Sequence, residues 1–490
     1  MKLPEDAIER MAQDFAGAQL GDPRRTRRAQ AMVRQLARQP GAPLPEALEN
    51  DAQIEGAYRF ANNERVTFEA LIGAHAGGTA RRAVEAGSVL VLHDTTDATF
   101  SSLDPKEIGY LATGKAGFLF HVSLVLDASH WRLPLGVVSG QTIHRKQRSK
   151  RAAGKKKASG TETAAQTDRE AARWWRGIED ASKVLKGCAD VIHVADRESD
   201  SYELTHRCLA AGERFVFRAR TVERRGRFAD KKTHDWSTVR RIAESCEGLL
   251  EREVSVSARA QKSAPGMNRG NPARSARMAR LRFAAARVEM PRPQYLHDPV
   301  PKTLTVNLVH VTEPHVPEGE APVQWILYTT EPIDTPEQVA RVVDIYRARW
   351  TIEEFNAALK TGCAYESRQF ESRHALLNLL ALSLPIACEL LALRSRARDF
   401  PDAPATEVLR PAQIEVLRRF GRRKLPSSPT ARDALLAVAG LGGHVKYNGE
   451  PGWNVLMRGM RTLLGYEAAW LAGRESAPMP RDESPRQGDL

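Results

Sequence analysis

The sequence predicts an α/β protein in which a mixed β-sheet core is flanked by helical segments at both ends of the chain. Three observations lead to this fold class. The first 70 residues have helical patterning, short apolar runs of strand length begin at Ser88, and the pattern becomes helical again from about residue 372. Apolar runs that alternate with helix-length segments are typical of a sheet packed against helices.

The chain carries an excess of basic charge. Its 490 residues include 73 Lys and Arg against 60 Asp and Glu, a formal net charge of +13. Since domains usually hold about 100–200 residues, the length predicts two to four of them. The charge favours a polyanionic partner, because each neutralised phosphate releases counterions. Charge alone does not distinguish nucleic acids from membrane surfaces.

Cysteine usage and hydropathy exclude several classes of protein. The five cysteines are scattered and no two have zinc-ligand spacing, which argues against a zinc finger and against a disulfide framework. The most apolar stretch, 375–393, contains Asn378, Pro385 and Glu389, which favours a buried core helix over a membrane span. With a charged N-terminus that lacks an apolar signal segment, the chain is predicted to be cytoplasmic, with no membrane partner.

Residues 1–70 are predicted to form a helical N-terminal domain. Asp22 followed by Pro23 is the residue pair favoured at the start of a helix. The helix that follows is rich in arginine, and two interpretations stay open: a solvated basic face, or a DNA-binding surface. The arginines concerned are Arg24, Arg25, Arg27 and Arg28.

Residues 71–370 are predicted to contain the sheet. The expected strands are 88–92, 119–127, 132–139, 190–195 and 214–219, with helices at about 163–185 and 199–211. A β-rich insertion is expected at about 222–330, with strands at 250–257, 279–289, 303–312 and 323–330. Two basic stretches, 141–160 and 258–278, contain too little apolar surface to fold and are expected to be loops.

After the insertion the chain is predicted to be helical. A long helix is expected over about 336–361, and residues 371–475 are expected to form a helical C-terminal domain. The last segment, 476–490, is rich in proline and charge and is expected to be disordered.

Two carboxylates are predicted to lie at the carboxyl ends of strands. Asp94 ends the first predicted strand and Asp196 ends the fourth, and ligands of open α/β sheets gather at this edge. Either aspartate could instead simply cap the turn that follows it. The histidines that neighbour these aspartates in the same strands, His93 and His193, are predicted to be core residues or residues that support the ligands from behind, rather than ligands.

The long helix carries a third carboxylate within a polar stripe. At about 100° per residue, four of its side chains fall within a wedge of roughly 60°. These four are Tyr346, Arg349, Glu353 and Lys360. A salt-bridged solvent face would explain the pair Arg349 and Glu353, but not the phenol and the ammonium beside it. Glu354 projects about 100° away from Glu353 and is the weaker candidate.

Three oxygen ligands from separate elements suit Mg²⁺ or Mn²⁺. Asp94, Asp196 and Glu353 are therefore predicted to hold two such ions per active site, which could activate a water or hydroxyl for attack on a phosphodiester. Phosphoryl transfer demands mainly positioning and charge stabilisation. Arg349 and Lys360 are predicted to hold the adjacent phosphates.

The spacing Tyr346-x2-Arg349-x3-Glu353-x6-Lys360 resembles the YREK signature of insertion sequence 4 family DDE transposases. Further matching motifs occur in the expected order along almost the whole chain. They are LGDPRRTRR at 20–28, EGAYRF at 55–60, HDTT at 93–96, ADRESD at 195–200, ERFVFR at 213–218 and WILYTTEP at 325–332. Asn356 departs from the pattern, since close relatives often carry a basic or histidine residue there.

The resemblance implies an RNase H-like catalytic core with a β-strand insertion, a DNA-binding N-terminal domain and a C-terminal domain that pairs two subunits. It implies cut-and-paste transposition: nicking at the inverted-repeat ends, hairpin formation and opening, and strand transfer into target DNA. The partners implied are double-stranded DNA and a second copy of the chain, in a homodimer that bridges two ends.

The same resemblance matches Tyr346, Arg349 and Lys360 to phosphate-positioning residues. It also assigns roles to two residues outside the helix. Arg218 matches a further arginine near the DNA, and Trp325 matches an aromatic residue that holds a flipped base during hairpin formation. A tryptophan packed within a strand pair is the alternative for Trp325. Two other functions also stay open: a metal-dependent DNA nuclease of the same fold, and a catalytically silent DNA-binding protein derived from a transposase.

Overall fold

The computed structural model describes residues 5–475, apart from a few short segments. Those segments are 49, 130–132, 147–159, 231–234, 257, 259–272 and 446–448; in 160–171 only the backbone is described. Most of the two predicted basic loops, and the predicted disordered tail at 476–490, therefore lie outside the described residues.

The N-terminal part of the chain is helical. Its helices are α1 (Glu5–Asp14), α2 (Pro23–Arg38), α3 (Leu44–Ala47), α4 (Asp51–Ala61) and α5 (Phe68–Ala86). The predicted start of α2 is confirmed, because the Asp22 side chain accepts a hydrogen bond from the Arg24 amide at 2.8 Å and Pro23 opens the helix. This cap satisfies one of the amide donors that a helix N-terminus leaves unpaired.

In the described residues that follow there are eleven strands, with four α-helices between them. In chain order the elements are β1 (Ser88–Thr99), α6 (Pro105–Ile108), β2 (Gly117–Asp127), β3 (Pro134–Ile143), α7 (Gly160–Val184), β4 (Asp190–Ala195), α8 (Tyr202–Ala211), β5 (Arg214–Arg218), β6 (Arg225–Phe228), β7 (Ser237–Thr238), α9 (Val239–Ser245), β8 (Gly248–Val256), β9 (Arg277–Pro291), β10 (Thr303–Thr312) and β11 (Gln324–Thr329).

The strands form one mixed sheet in the order β3-β2-β1-β4-β5-β11-β10-β9-β6-β7, with β8 also paired to β9. The pairs β1–β4 and β4–β5 are parallel, whereas the other strand pairs are antiparallel. The predicted mixed α/β fold is thus confirmed, and its arrangement is consistent with an RNase H-like core. The strands of the β-rich segment extend the same sheet, because β11 pairs with β5.

The first strand is longer than predicted. Asp94 was expected to end it, but β1 continues to Thr99. The reason is the partner strand, since β2 pairs with β1 along its whole length, from Val89↔Asp127 to Thr99↔Gly117. The polar run after Leu92 remains extended because a neighbouring strand supplies its backbone hydrogen bonds, which local hydropathy does not reveal.

The predicted single helix over 336–361 is three consecutive segments, α10 (Pro336–Ala348), α11 (Trp350–Ala357) and a π-helical turn (Ala358–Gly362). At the first junction the Arg349 amide bonds to the Tyr346 carbonyl, three residues back, at 3.1 Å. At the end the Cys363 amide bonds to the Ala358 carbonyl, five residues back. The predicted wedge assumes a uniform 100° per residue, and this assumption is wrong. The helical turn is tighter at Arg349 and wider at Ala358–Gly362.

The C-terminal part contains α12 (Arg373–Asp399), α13 (Pro411–Phe420), α14 (Ala431–Leu441) and α15 (Trp453–Glu475). Although α12 is long and apolar enough to cross a membrane, 89% of its most apolar window is buried inside the protein. The prediction of a buried core helix at 375–393 is confirmed. Residues of α12 share one hydrophobic core with the N-terminal helices and with β1 and β2.

Candidate active site

Asp94 and Asp196 both follow the point where the pairing of β1 with β4 ends. The last parallel pair is His93↔Ala195, so the next residue along each segment is one of the two aspartates. Beyond this point β1 continues with β2 alone, where Asp94 lies opposite Val122. The end of the parallel pairing thus brings the two predicted carboxylates to the same edge, even though Asp94 does not end its strand.

Asp196 also caps the turn that follows β4. Its Oδ1 accepts a hydrogen bond from the Glu198 amide at 2.8 Å, at the start of a short 3-10 helix at Arg197–Ser199. The capping interpretation and the site interpretation of this aspartate are therefore compatible, since the cap engages one oxygen and fixes the orientation of the carboxylate.

The Asp94 carboxyl group has an unusual environment. Burial raises its pKa to about 7, and the negative charges of Glu353 and Asp196 act in the same direction, against the opposing effect of Arg349. A carboxyl group with this pattern of perturbation is a candidate functional residue, because crowded carboxylates are costly unless a cation joins them. All three predicted carboxylates thus interact within one region.

Arg349 interacts with this acidic group. Its side chain is 14% exposed, and its Nη1 lies 3.4 Å from Glu353 Oε1, while Glu353 is 43% exposed. Burial acts to lower the pKa of Arg349, yet the surrounding Tyr346, Asp94, Glu353 and Asp196 raise it overall. The Arg349 guanidinium therefore interacts favourably with all three carboxylates.

The donor set around Asp94 suits a hard cation, although a complete ligand group is not formed. Within the described parts of the chain, no three Asp, Glu, His or Cys side chains lie close enough together to hold a metal ion. Asn356 lies against the site: its Nδ2 donates to Asp94 Oδ2 at 3.3 Å, and its buried Oδ1 has no hydrogen-bond partner among the residues that the structure describes. Carboxylate and amide oxygens are ligands that Mg²⁺ and Mn²⁺ accept.

The sequence pattern did not assign a role to Asn356. It stood out only as a departure from the relatives' residue at that position. Its contact with Asp94 joins the helix to β1, 262 residues earlier in the chain, so no local pattern could have revealed it.

Lys360 lies in the π-helical turn and has a different partner from Arg349. Its Nζ is 3.8 Å from Glu366, whose Oε1 accepts a hydrogen bond from the Thr99 amide at the end of β1. The rival carboxylate Glu354 faces away from the site, as predicted, and binds the Arg398 guanidinium through two hydrogen bonds of 3.0 Å.

Trp325, Tyr346 and Arg218 form a cluster beside Arg349. The two rings meet edge to face with centroids 5.4 Å apart, and the Arg218 guanidinium lies 6.0 Å from the Trp325 ring centroid. Trp325 is half-buried, whereas Tyr346 is buried rather than part of a polar surface stripe. Tyr346 therefore covers part of the Trp325 side chain, and the rest of that side chain is accessible.

The four N-terminal arginines divide into two pairs. Arg24 and Arg27 are exposed. Arg25 is half-buried and donates to the Leu20 carbonyl at 2.7 Å. Arg28 is also half-buried, and its guanidinium lies over Gly56, where a Cβ atom would be 3.0 Å from it. The first pair is available to a ligand, whereas the second pair contributes to packing.

The two strand histidines are buried, as predicted. His93 Nε2 lies 2.9 Å from His193 Nδ1, and Ser123 Oγ lies 3.0 Å from His93 Nδ1. Burial lowers the pKa of His93 well below its usual value. His93 is therefore a neutral member of the core beneath the site, and His193 is packed against it.

Two family models match the chain. Residues 9–66 match the family described as Transposase DNA-binding, and residues 176–386 match the Transposase DDE domain. The second match contains Asp196 and Glu353, while Asp94 precedes it on a strand that pairs directly with β4 inside the matched region. The N-terminal arginines Arg24 and Arg27 fall within the first match.

Proposed function

We propose that this protein moves a DNA element by metal-dependent cut-and-paste transposition. The chain carries a transposase DNA-binding segment followed by a DDE transposase domain. The steps would be nicking at inverted-repeat ends, hairpin formation and opening, and strand transfer into target DNA. The observation that supports this most directly is the mutual interaction of Asp94, Asp196 and Glu353 around Arg349.

In this proposal Asp94, Asp196 and Glu353 hold the divalent ions. Two Mg²⁺ or Mn²⁺ ions bound there would activate the attacking oxygen and stabilise the leaving oxygen of the phosphodiester. Asn356 supports the fit, because its amide contacts Asp94 and its buried Oδ1 has no hydrogen-bond partner among the described residues. DDE transposase domains generally depend on divalent metal ions.

The basic side chains would position the DNA. Arg349 neutralises charge next to the reacting phosphate, and Arg218 and Lys360 contact flanking phosphates from the sheet and from the π-helical turn. The accessible part of Trp325 offers a surface on which a displaced base could stack, since stacking tolerates any base. Arg24 and Arg27 would contact the end DNA.

The finer assignments belong to the same proposal. Membership of the insertion sequence 4 family is supported by the spacing of Tyr346, Arg349, Glu353 and Lys360. A homodimer that pairs two ends follows from that resemblance. A cytoplasmic location is supported by the five cysteines, which all lie within the described residues and form no disulfide there.

A cleavage assay tests the proposed activity. The purified protein is mixed with Mg²⁺ and a duplex that carries the short inverted repeats flanking its coding sequence. We expect nicked ends, hairpin ends and joined products, and we expect Glu353→Gln to abolish all three while the duplex is still bound. Glu354→Gln is the matched control, because Glu354 faces Arg398 rather than Asp94.

The same assay separates the competing functions. Nicking without hairpins or joined products would indicate a nuclease, and binding without any cleavage would indicate a catalytically silent DNA-binding protein. Cleavage that survives in Glu353→Gln would show that the assignment of this carboxylate is wrong.

A further inference from the structure

Arg173, near the middle of α7, contacts two separate segments of the sheet edge. Its Nε donates to Thr95 Oγ1 at 2.8 Å, and its Nη2 donates to Glu198 Oε2 at 3.1 Å. The Arg173 side chain is only 11% exposed, whereas Glu198 is 60% exposed. One guanidinium therefore joins β1 to the turn after β4 through two of its in-plane N–H groups.

Both partners are neighbours of the proposed metal ligands. Thr95 directly follows Asp94 in β1. The Glu198 amide donates the hydrogen bond that orients Asp196 Oδ1, at 2.8 Å. A shift of either segment would thus have to stretch or break a contact with Arg173. The β1–β4 backbone pairing ends one residue before each aspartate, so it does not itself hold the two carboxylates.

The Arg173 side chain is itself held firmly in place. Its guanidinium lies 5.4 Å from the ring centroid of the buried Trp174, and its carbonyl accepts a hydrogen bond from Gln141 Nε2 at 3.0 Å. Thr95 Oγ1 also lies 2.9 Å from His121 Nδ1, which fixes the hydroxyl from the other side. The bridge is therefore part of an ordered hydrogen-bond network rather than a loose surface pair.

We propose that Arg173 is a positioning residue that sets the separation of Asp94 and Asp196 and thereby the affinity of the site for divalent ions. The inference rests on the proposed function, since the metal-binding role of the two aspartates belongs to that proposal. A direct contact between Arg173 and DNA fits the structure less well, because the side chain is nearly buried and points its donors at protein oxygens.

The test compares Arg173→Met with Arg173→Lys and with Arg176→Met. Methionine keeps the aliphatic bulk but removes both hydrogen bonds. Lysine keeps the charge but its compact ammonium does not reproduce the fork. Arg176 is exposed on the same helix and serves as the matched control. Three quantities are measured: the Mn²⁺ concentration for half-maximal nicking, the rise in Tm caused by Mn²⁺, and the affinity for end DNA in EDTA.

We expect Arg173→Met to raise the Mn²⁺ requirement by about 10–100-fold, the range found when residues that orient metal ligands are removed. The Mn²⁺-induced rise in Tm should shrink in parallel, while binding of end DNA in EDTA is unchanged. Saturating Mn²⁺ should restore most of the nicking. Arg173→Lys should fall between Arg173→Met and the unchanged Arg176→Met.

An unaltered Mn²⁺ requirement in a folded Arg173→Met variant, or an equal loss of metal-free DNA binding, would overturn the inference. Should Arg173→Met fail to fold, Glu198→Gln tests the inference instead. This substitution weakens the contact between Glu198 and Arg173 at an exposed position, and the inference requires that it also raises the Mn²⁺ requirement. Failure of the proposed function looks different: the wild-type protein would then neither nick the DNA nor gain stability from Mn²⁺.

Discussion

Asp14 is a buried carboxylate that holds the N-terminal helix α1 against α5 and β3. Its Oδ1 accepts from Arg82 Nη1 at 3.0 Å, and its Oδ2 accepts from His75 Nδ1 and Arg82 Nη2, both at 2.9 Å. His75 Nε2 accepts from the Val137 amide at 3.1 Å, so the proton of this imidazole lies on Nδ1 and the ring is neutral. The cluster leaves no room for a side chain at Gly78, where a Cβ atom would lie 1.8 Å from Asp14 Oδ1.

The two titratable groups of this cluster make the protein sensitive to acid. Burial alone would raise the pKa of Asp14, but the hydrogen bonds from His75 and Arg82 outweigh it and the pKa is lowered. Burial lowers the pKa of His75 despite Asp14. Both folded-state pKa values lie below their unfolded-state values. The contributions of both groups to the free energy of unfolding are therefore complete at neutral pH and are lost on acidification. The loss begins for His75 as the pH falls below about 6.5 and for Asp14 as it falls below about 4.

We therefore expect Asp14→Asn to lower the free energy of unfolding by about 3 kcal/mol at pH 7, because it leaves Arg82 without its ion-pair partner. Chemical denaturation measures this difference, and it should shrink as the pH falls through about 4. Asp6→Asn, at an exposed position of the same helix, should change the unfolding free energy little. A difference that grows at low pH would contradict the assignment.

At the scale of elements, α14 and α15 cross at two glycines. A Cβ atom on Gly459 would lie 1.9 Å from the Val438 carbonyl oxygen, and one on Gly442 would lie 1.9 Å from the Val455 carbonyl oxygen. Backbone therefore meets backbone at this crossing, which only glycine permits. Gly465, six residues later on α15, has no heavy atom of this kind within 4 Å.

This contrast predicts opposite effects of the same substitution on one helix. Gly459→Ala should destabilise the protein by about 2–3 kcal/mol, since the two helices must move apart. Gly465→Ala should stabilise it by up to about 1 kcal/mol, because alanine is the better helix former at an unobstructed position. Thermal unfolding of the two variants decides the point, and equal Tm values would mean that the close crossing does not exist in solution.

At the scale of the whole molecule, the net charge of +13 is spread over ion-paired and unpaired basic groups. Many arginines serve the fold, as Arg34 does with Glu9 and Arg432 does with Glu450. Basic side chains that are exposed and lie within the matched DNA-binding segment, such as Arg24 and Arg27, are the ones expected to meet phosphates. Total charge is thus a poor guide to the DNA-contacting surface.

We expect the double variant Arg24→Ala, Arg27→Ala to bind end DNA more weakly with an unchanged Tm. A plot of log affinity against log salt should become shallower by about 2, since each lost phosphate contact removes about 0.9 from the slope. Arg25→Ala is the contrasting variant, because it removes the hydrogen bond to Leu20 and should lower the Tm. An unchanged salt slope in the double variant would exclude these two arginines as phosphate contacts.

The amino-acid sequence alone determined the elements and the candidate side chains. Short apolar runs located β2 and β4, and the pair Asp22 and Pro23 marked the start of α2, because these signals depend on residues a few positions apart. The spacing from Tyr346 to Lys360 singled out the same helical region for the same reason. Hydropathy likewise predicted that α12 is buried.

Only the tertiary structure decided how these parts meet. The extension of β1 past Asp94 depends on β2, the tight turn at Arg349 and the π-helical turn alter the predicted stripe, and Tyr346 turns inward onto Trp325. The contacts of Asn356 with Asp94 and of Arg173 with Thr95 join residues 262 and 78 positions apart. Packing and hydrogen bonding between segments that are distant in the chain set this geometry, and no local pattern of residues encodes it.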